Sequence, residues 1–382
     1  MNPWDADDLK QQLKKIPPAT RELLQRHGFS EAEFLELVQK SMTGDERNFV
    51  SGKLKTPDQE DIKELPPQDS KEYQRLAALG EAALRAGECA LVVLAGGMAT
   101  RMGGVVKALV EPLPGASFLQ MRLNEQKALA QQYGQTPPLW LMTSQGTHEK
   151  TLEALGNQID GESLAVFEQN LSVRLRTDGQ LWLNQNNAPG LYAPGHGDLP
   201  DALRRSGLLE KFRQRGGRYL FVTNLDNLGG GLDPLLIGYH LDQKKPVTCE
   251  VVEKRGSDRG GIPLKLDGNF VVLEEFRIPP SFDPQQVPVF NVNSFAFDVA
   301  ALSDLNFDWT YFRVEKKVNE TKVIQFERLL NEVTFHLATS YVKVPRSGPF
   351  SRFLPVKDFE ELARRKGELQ EIAVRRKMVE TF

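Results

Sequence analysis

Residues 90–112 read ALVVLAGGMATRMGGVVKALVEP: an apolar run, broken by Gly96 and Gly97 and again by Gly103 and Gly104, with Arg101 and Lys107 set among the glycines. Glycine lets bare backbone N–H groups approach an anion because no Cβ stands in the way. Arginine adds a fork of donors and lysine a mobile point charge. The chemistry of this stretch is phosphate binding. It is not a P-loop, since no Gly-Lys follows Gly96 or Gly97 at the required distance and Lys107 is followed by Ala108. It is not the dinucleotide fingerprint either, because Ala99 and Met102 stand where glycines are needed. A second apolar run, RYLFVTNLDNLGGG, ends in Asn224, Asp226 and Asn227. A carboxylate at the C-terminal end of a strand points into the ligand crevice of an open α/β sheet. Asp226 is there a hard oxygen ligand of the kind Mg²⁺ takes together with substrate phosphates. Gly195 and Gly197 flank His196 just before a helix start, whose free N–H groups suit an anion. Glu250 and Lys254 fall on a strand and its exit, and Asn291 and Asn293, two residues apart, share one face of a strand, where amides can bond hydroxyls.

The elements that must position these groups alternate from residue 91 onward. Apolar runs predict strands over 91–94, 139–143, 165–167, 219–223, 247–252, 289–297 and 340–344. Between them lie helical segments over 118–133, 148–155, 199–207, 208–215, 234–243 and 323–331. That order predicts an α/β fold, a mostly parallel sheet with helices on both faces. Residues 263–275 read as a hairpin turning at Asp267-Gly268. Residues 1–85 read as a helical N-terminal segment: Ser30 and Glu33 form a capping box, a polar stretch with Pro57, Pro66 and Pro67 follows over 44–70, and a helix over 71–86 leads into the phosphate-type loop. The tail over 358–382 is helical in pattern.

Composition narrows the function class. The 382 residues are 40% hydrophobic and 26% charged, with a net charge of −3. Nothing here predicts a nucleic-acid or anionic-membrane partner, no apolar run approaches the ~20 residues of a span, and no signal peptide opens the chain. Cys89 and Cys249 both abut strands and read as reduced core thiols of a cytoplasmic protein. The five histidines are scattered without zinc spacing.

In this order the motifs resemble those of the UDP-sugar pyrophosphorylases. The loop L-x-G-G-x-A-T-R-x-G…K is similar to that family's signature loop, and APGHGDLPDALRRSGLLEKF and N-x-D-N to its P-G-H-G-D and metal segments. Phe167-Glu168-Gln169, Glu-x-x-x-Lys, Asn-x-Asn and VPRSGPFSRFLPVK complete the series, the last interrupted at Gly348, Pro349 and Phe350 relative to the family's V-P-R-S-R-F-L-P-V-K. The resemblance covers residues 91 to about 362. It implies a Rossmann-like, glycosyltransferase-A-like nucleotidyltransferase: a helical segment 1–85, a catalytic domain 86–345 and a short segment 346–382 that carries a catalytic lysine, without the C-terminal β-helix of the eukaryotic glucose enzymes. It implies a uridylyltransferase that joins UTP to a hexose 1-phosphate with Mg²⁺ and releases pyrophosphate. On that pattern Leu94, Ala95, Gly96 and Gly97 hold the nucleotide, Gln169 and Gly195 read uracil, and Arg101 and Lys107 take the triphosphate. His196 contacts phosphate or sugar, Asp226 holds the metal with Asn224 nearby, Lys254 and Lys357 neutralise the sugar phosphate, and Glu250, Asn291 and Asn293 bind sugar hydroxyls. The Gly-His-Gly-Asp and Pro-Val-Lys blocks favour glucose 1-phosphate. The segment MTSQGTHEKT and Arg101 lean toward N-acetylglucosamine 1-phosphate. Ala99, where the family usually has Gly, and the shortened loop before Lys107 are what a non-catalytic nucleotide-sugar sensor would carry. The lack of a β-helix surface favours a monomer.

Overall fold

The computed structural model describes residues 6–43, 48–99, 102–256 and 258–379. Its centre is an eight-stranded sheet of β1 (Ile62–Glu64), β2 (Cys89–Leu94), β3 (Leu139–Thr143), β4 (Leu164–Glu168), β5 (Tyr219–Asn224), β6 (Val247–Glu253), β7 (Val289–Asp298) and β8 (Thr339–Lys343). The spatial order is β1-β8-β6-β7-β5-β2-β3-β4. β7 runs antiparallel to both its neighbours, and the other pairs are parallel, so the sheet is mixed. From β2 the chain moves outward through β3 to β4, then returns to place β5 on the other side of β2. Such a reversal opens a crevice at the carboxyl ends of the two strands that straddle it. Leu94 and Asn224, paired at that end, mark the place.

Strand periodicity explains the two large cores. Ala90 and Val92 face one side, with Trp140, Leu203 and Phe212; Leu91 and Val93 face the other, with Phe118, Leu119 and Ile372. The helices of the described residues are α1 (Ala6–Lys14), α2 (Pro18–Arg26) and α3 (Glu31–Thr43), which build a third core of their own, and α4 (Lys71–Arg85), α5 (Phe118–Tyr133), α6 (His148–Leu155), α7 (Leu199–Ser206), α8 (Leu208–Gln214), α9 (Pro234–Gln243), α10 (Val299–Ser303) and α11 (Phe359–Arg375) around the sheet. Side-chain caps start several of them. Ser70, Ser117, Asp233 and Asp358 accept from Tyr73, Gln120, Leu235 and Glu361 N–H groups at the mouths of α4, α5, α9 and α11. No helix of the described residues is long and apolar enough to cross a membrane.

Three expectations change. Residues 323–331 are not a helix: Thr321–Glu327 is a strand paired with Phe312–Val318, followed by a 3₁₀ turn over Leu330–Phe335. The hairpin turns at Asn319 and Glu320, both in left-handed backbone, without the glycine that would have announced it. The N-terminal segment is not purely helical, since Leu54–Lys55 and β1 are strands. The first pairs with Gly261–Leu266 of the expected hairpin, the second with β8 at the sheet's edge. The C-terminal segment is part of the main body: Leu369, Ile372, Ala373 and Met378 are buried in the same core as Leu91 and Val93.

Candidate active site

A cavity of about 610 Å³ opens at the carboxyl ends of β2, β3 and β5. Leu94, Ala95, Gly96, Gly97, Lys107, Gln169, Gly195, His196, Asn224 and Asp226 all line it, so residues spread over more than a hundred positions meet in one place.

Gly96 follows β2 directly, and its missing side chain is required: a Cβ there would lie 2.5 Å from Gln169 Oε1. Gln169 follows β4 directly, its backbone N–H donating to Thr143 O at 2.9 Å. Its Nε2 donates to Gly195 O at 2.8 Å, which leaves the amide oxygen and one N–H uncommitted to that bond. Gly195 sits at φ +119°, and a Cβ would lie 2.7 Å from Arg328 O. His196 Nδ1 accepts from the backbone N–H of Leu330 at 3.0 Å. An acceptor at Nδ1 fixes the neutral tautomer with the proton on Nε2. Burial also pushes this imidazole down to about 4, which keeps it neutral.

Lys107 opens a 3₁₀ turn, Lys107–Leu109, just after the short ladder that pairs Met98–Ala99 with Val105–Val106. Its Nζ donates to Asp226 Oδ2 at 2.6 Å, with both side chains largely buried. The phosphate-type cation and the metal-type carboxylate therefore neutralise one another. Asp226 lies in a turn fixed by Leu225 N–H on Leu94 O at 3.2 Å and by Asn227 N–H on Asn224 O at 3.2 Å. Among the described residues no three of His, Cys, Asp or Glu gather as a metal cage. Asp226 alone would hold a divalent cation, and only where phosphate oxygens complete the shell, which is how Mg²⁺ is usually bound.

Arg101 lies outside the described residues. Asn291 and Asn293 brace the site from below. Asn293 Nδ2 donates to Asn224 Oδ1 at 2.9 Å, and its backbone N–H donates to Asn291 Oδ1 at 2.9 Å. Asn293 takes φ +57° where β7 slips register against β6, so the two-residue period does not carry through it. Glu250 does not line the cavity. Both its oxygens accept from Arg352, at 2.6 and 2.7 Å, and it is buried away from the cavity. Lys254 Nζ is 2.7 Å from Glu275 Oε1. Lys357 is exposed, its backbone N–H donating to Glu361 Oε2 at 2.8 Å. Neither lysine lines the cavity.

Sequence reasoning missed Arg174, Tyr192 and Gln325, all in the wall, where Ser144 of the MTSQGTHEKT segment joins them. Ser144 Oγ donates to Gly96 O at 2.8 Å. The Arg174 guanidinium stands 5.9 and 5.7 Å from the Trp182 and Tyr192 ring centres and donates to Leu191 O. Between Val173 and Leu175, a single arginine reads as the solvent side of a strand.

The cavity can bind an anionic nucleotide against glycine backbone, hold one divalent cation and neutralise phosphate. Among the described residues, the two hydroxyls in its wall are engaged, Ser144 Oγ on Gly96 O and Tyr192 OH on Phe326 O. The family model described as UTP–glucose-1-phosphate uridylyltransferase matches residues 34–379. The enzyme of that name from Pyrus pyrifolia is 30% identical over 353 residues, spanning 86% of this chain and 72% of its own. The one from Musa acuminata is 27% identical over 372 residues, 92% and 77% of the two chains. Among solved structures, a UDP-glucose phosphorylase from Trypanosoma brucei superposes with TM-score 0.72 at 26% identity over 89% of this chain and 76% of its own. A uridine diphosphate N-acetylglucosamine pyrophosphorylase from the same organism shares the fold, with TM-score 0.76 at 19% identity over 94% and 81%. A chain matched over residues 34–379, with its signature loop and Asn-x-Asp-Asn turn meeting in one crevice, belongs to the UTP–glucose-1-phosphate uridylyltransferase family.

Proposed function

We propose that this protein transfers a uridylyl group from UTP to a hexose 1-phosphate, glucose 1-phosphate foremost, and releases pyrophosphate. What carries the reading is the convergence of the glycine loop, Gln169, His196 and the Lys107–Asp226 pair in one cavity at the switch point of the sheet. A phosphate oxygen of the sugar attacks the α-phosphorus of UTP. The new P–O bond forms as the bond to the bridging oxygen of the β-phosphate breaks, and that oxygen's electron pair leaves with pyrophosphate. No protein nucleophile is needed, so positioning and charge neutralisation supply the rate.

The residues divide the work as follows. Backbone at Leu94, Ala95, Gly96 and Gly97 receives the nucleotide, and the free oxygen and N–H of the Gln169 amide read the uracil edge beside Gly195. His196 offers its Nε2 proton to a phosphate or sugar oxygen. Lys107 leaves Asp226 for the triphosphate, where Arg101 joins it, and Asp226 with Asn224 beside it is freed to hold Mg²⁺. When bound, Mg²⁺ neutralises phosphate oxygens and lowers the charge barrier to attack. Lys254 and Lys357 reach the sugar phosphate only by leaving their present surroundings, and Asn291 and Asn293 support sugar binding through Asn224. Free, buried Cys89 and Cys249 support a cytoplasmic setting. Ser144 in the cavity wall favours a second reading, N-acetylglucosamine 1-phosphate as acceptor.

The test is pyrophosphate release from UTP and Mg²⁺ with each sugar phosphate in turn. Release with glucose 1-phosphate alone is the expected result. Release only with the N-acetylated sugar replaces the acceptor, and UTP binding without release by folded protein leaves a nucleotide-sugar sensor.

A further inference from the structure

The backbone that follows Asp226 is held by three buried arginines that come from distant parts of the chain. Arg122 of α5 donates to Asn227 O at 2.6 Å and Gly230 O at 2.8 Å. Arg352, from the block before Lys357, donates to Gly231 O at 3.0 Å. Arg376, just past α11, donates to Leu232 O at 3.1 Å and Gly229 O at 3.4 Å. Two buried carboxylates face them: Glu125 between Arg122 and Arg376, and Glu250 on Arg352. Three cations against two anions leave a formal excess of one positive charge, which the loop carbonyls and Asp233, 3.8 Å from Arg352, help to offset.

The loop also lies flat on the 351–354 backbone. Asn227 Nδ2 donates to Arg352 O at 2.9 Å, and Asn227 Oδ1 accepts from Leu354 N–H at 2.8 Å. A Cβ on Gly229 would lie 2.5 Å from Ser351 O. Replacing a buried ion network by apolar packing is often neutral or stabilising, so net stability is a poor reason for it. What the network supplies is direction: several N–H groups fixed on successive carbonyls of one short loop.

We infer that Arg122, Arg352 and Arg376 are positioning residues for Asp226, with Glu125 and Glu250 as their counter-ions. They keep the carboxylate at the end of β5 when Lys107 leaves it. This rests on the reading above that Asp226 takes the divalent cation. It also gives Glu250 a role as the counter-ion of Arg352.

The test is Arg352→Lys, which keeps the charge but loses the fork. Amide hydrogen exchange over 227–232 should speed up ~10-fold, while 220–223 of β5 stays protected. With kcat measured well below the melting temperature, turnover should fall ~10²-fold, the usual cost of a small misplacement. The Mg²⁺ concentration for half-maximal rate should rise. Calorimetry should show UTP binding in EDTA as in wild type, and the gain in affinity on adding Mg²⁺ lost. Faster loop exchange with wild-type Mg²⁺ dependence would reduce the arginines to a structural role and overturn the inference, as would unchanged exchange. If Arg352→Lys does not fold, Arg376→Lys tests the same loop from the opposite side. A wild-type protein whose UTP binding is indifferent to Mg²⁺ overturns the reading of Asp226 instead, and exchange still reports whether the arginines hold the loop.

Discussion

At the scale of single residues, Lys107 and Lys357 separate. Both are assigned to charge neutralisation by the same motif series, yet Lys107 sits in the cavity on Asp226 and Lys357 stands in solvent beside Glu361. Lys107→Ala should lower kcat/KM ~10²–10⁴-fold, as removal of an electrostatic stabiliser does, and leave Asp226 an uncompensated, largely buried carboxylate. Lys357→Ala should lower kcat/KM in the same range only if the segment closes on bound substrate. Near wild-type turnover in steady-state assays would remove Lys357 from the mechanism. His196 gives a stability prediction with a defined sign. Its folded pKa, about 4, lies below its ordinary 6.5, so on acidification the unfolded chain takes the proton first. The stability that this difference represents is complete above 6.5 and lost as the pH falls toward 4, at about 1.4 kcal/mol per unit. Denaturant melts of wild type and His196→Asn between pH 7 and 4 should show the steeper decline in wild type, and parallel curves would refute the assignment. The cavity lining was legible because glycine, histidine and aspartate stand at the ends of strands and starts of helices, the junctions that meet in it. Arg174 was not, since its value comes from Trp182 and Tyr192, which only the fold brings beside it.

At the scale of elements, α4 and α9 cross with their backbones in contact. A Cβ on Gly80 would strike Pro234 O, and one on Gly238 would strike Leu76 O. Helix propensity favours alanine at both positions by about 1 kcal/mol, yet the crossing has no room for a methyl. Overpacking of this kind costs about 1–3 kcal/mol or more. Gly80→Ala and Gly238→Ala should therefore both lower the melting temperature, and an unchanged or raised value would mean the helices separate freely. The sequence pattern located both helices without showing that they touch. The same limit explains residues 323–331. Ile324 and Phe326 lie on a strand paired with Phe312–Val318 and are buried against the N-terminal helices, contacts that helical periodicity cannot anticipate. β1 escaped notice because three residues in a proline-containing stretch make no run, and only the edge of β8 gives them a partner.

At the scale of the whole molecule, the N-terminal helices connect to the segment around Gln169, the residue proposed to read the base. Beside the two cores that flank the sheet, a third gathers Leu9, Leu13, Leu24, Phe34 and Val38 of α1, α2 and α3 against Leu171, Val173, Leu175, Ile324 and Phe326. At its edge His27, which follows α2, binds the segment around Gln169 twice. Its Nε2 is 3.0 Å from Glu168 Oε2, and its carbonyl accepts from Leu171 N–H at 3.1 Å. Gln169 lies between those two contacts. Removing the ring at the middle of the third core, by Phe34→Ala, should cost about 3–5 kcal/mol locally. Because this core is a satellite with few links to the other two, the loss should loosen it before the sheet melts, as low-stability units do. Scanning calorimetry should then show an early, separate transition. With Gln169 less firmly held, KM for UTP should rise while KM for the sugar phosphate, which the proposed roles put near Asn224, stays close to wild type. Equal rises in both would mean that the helices support the whole cavity, and no rise in either would mean that β4 holds Gln169 without them.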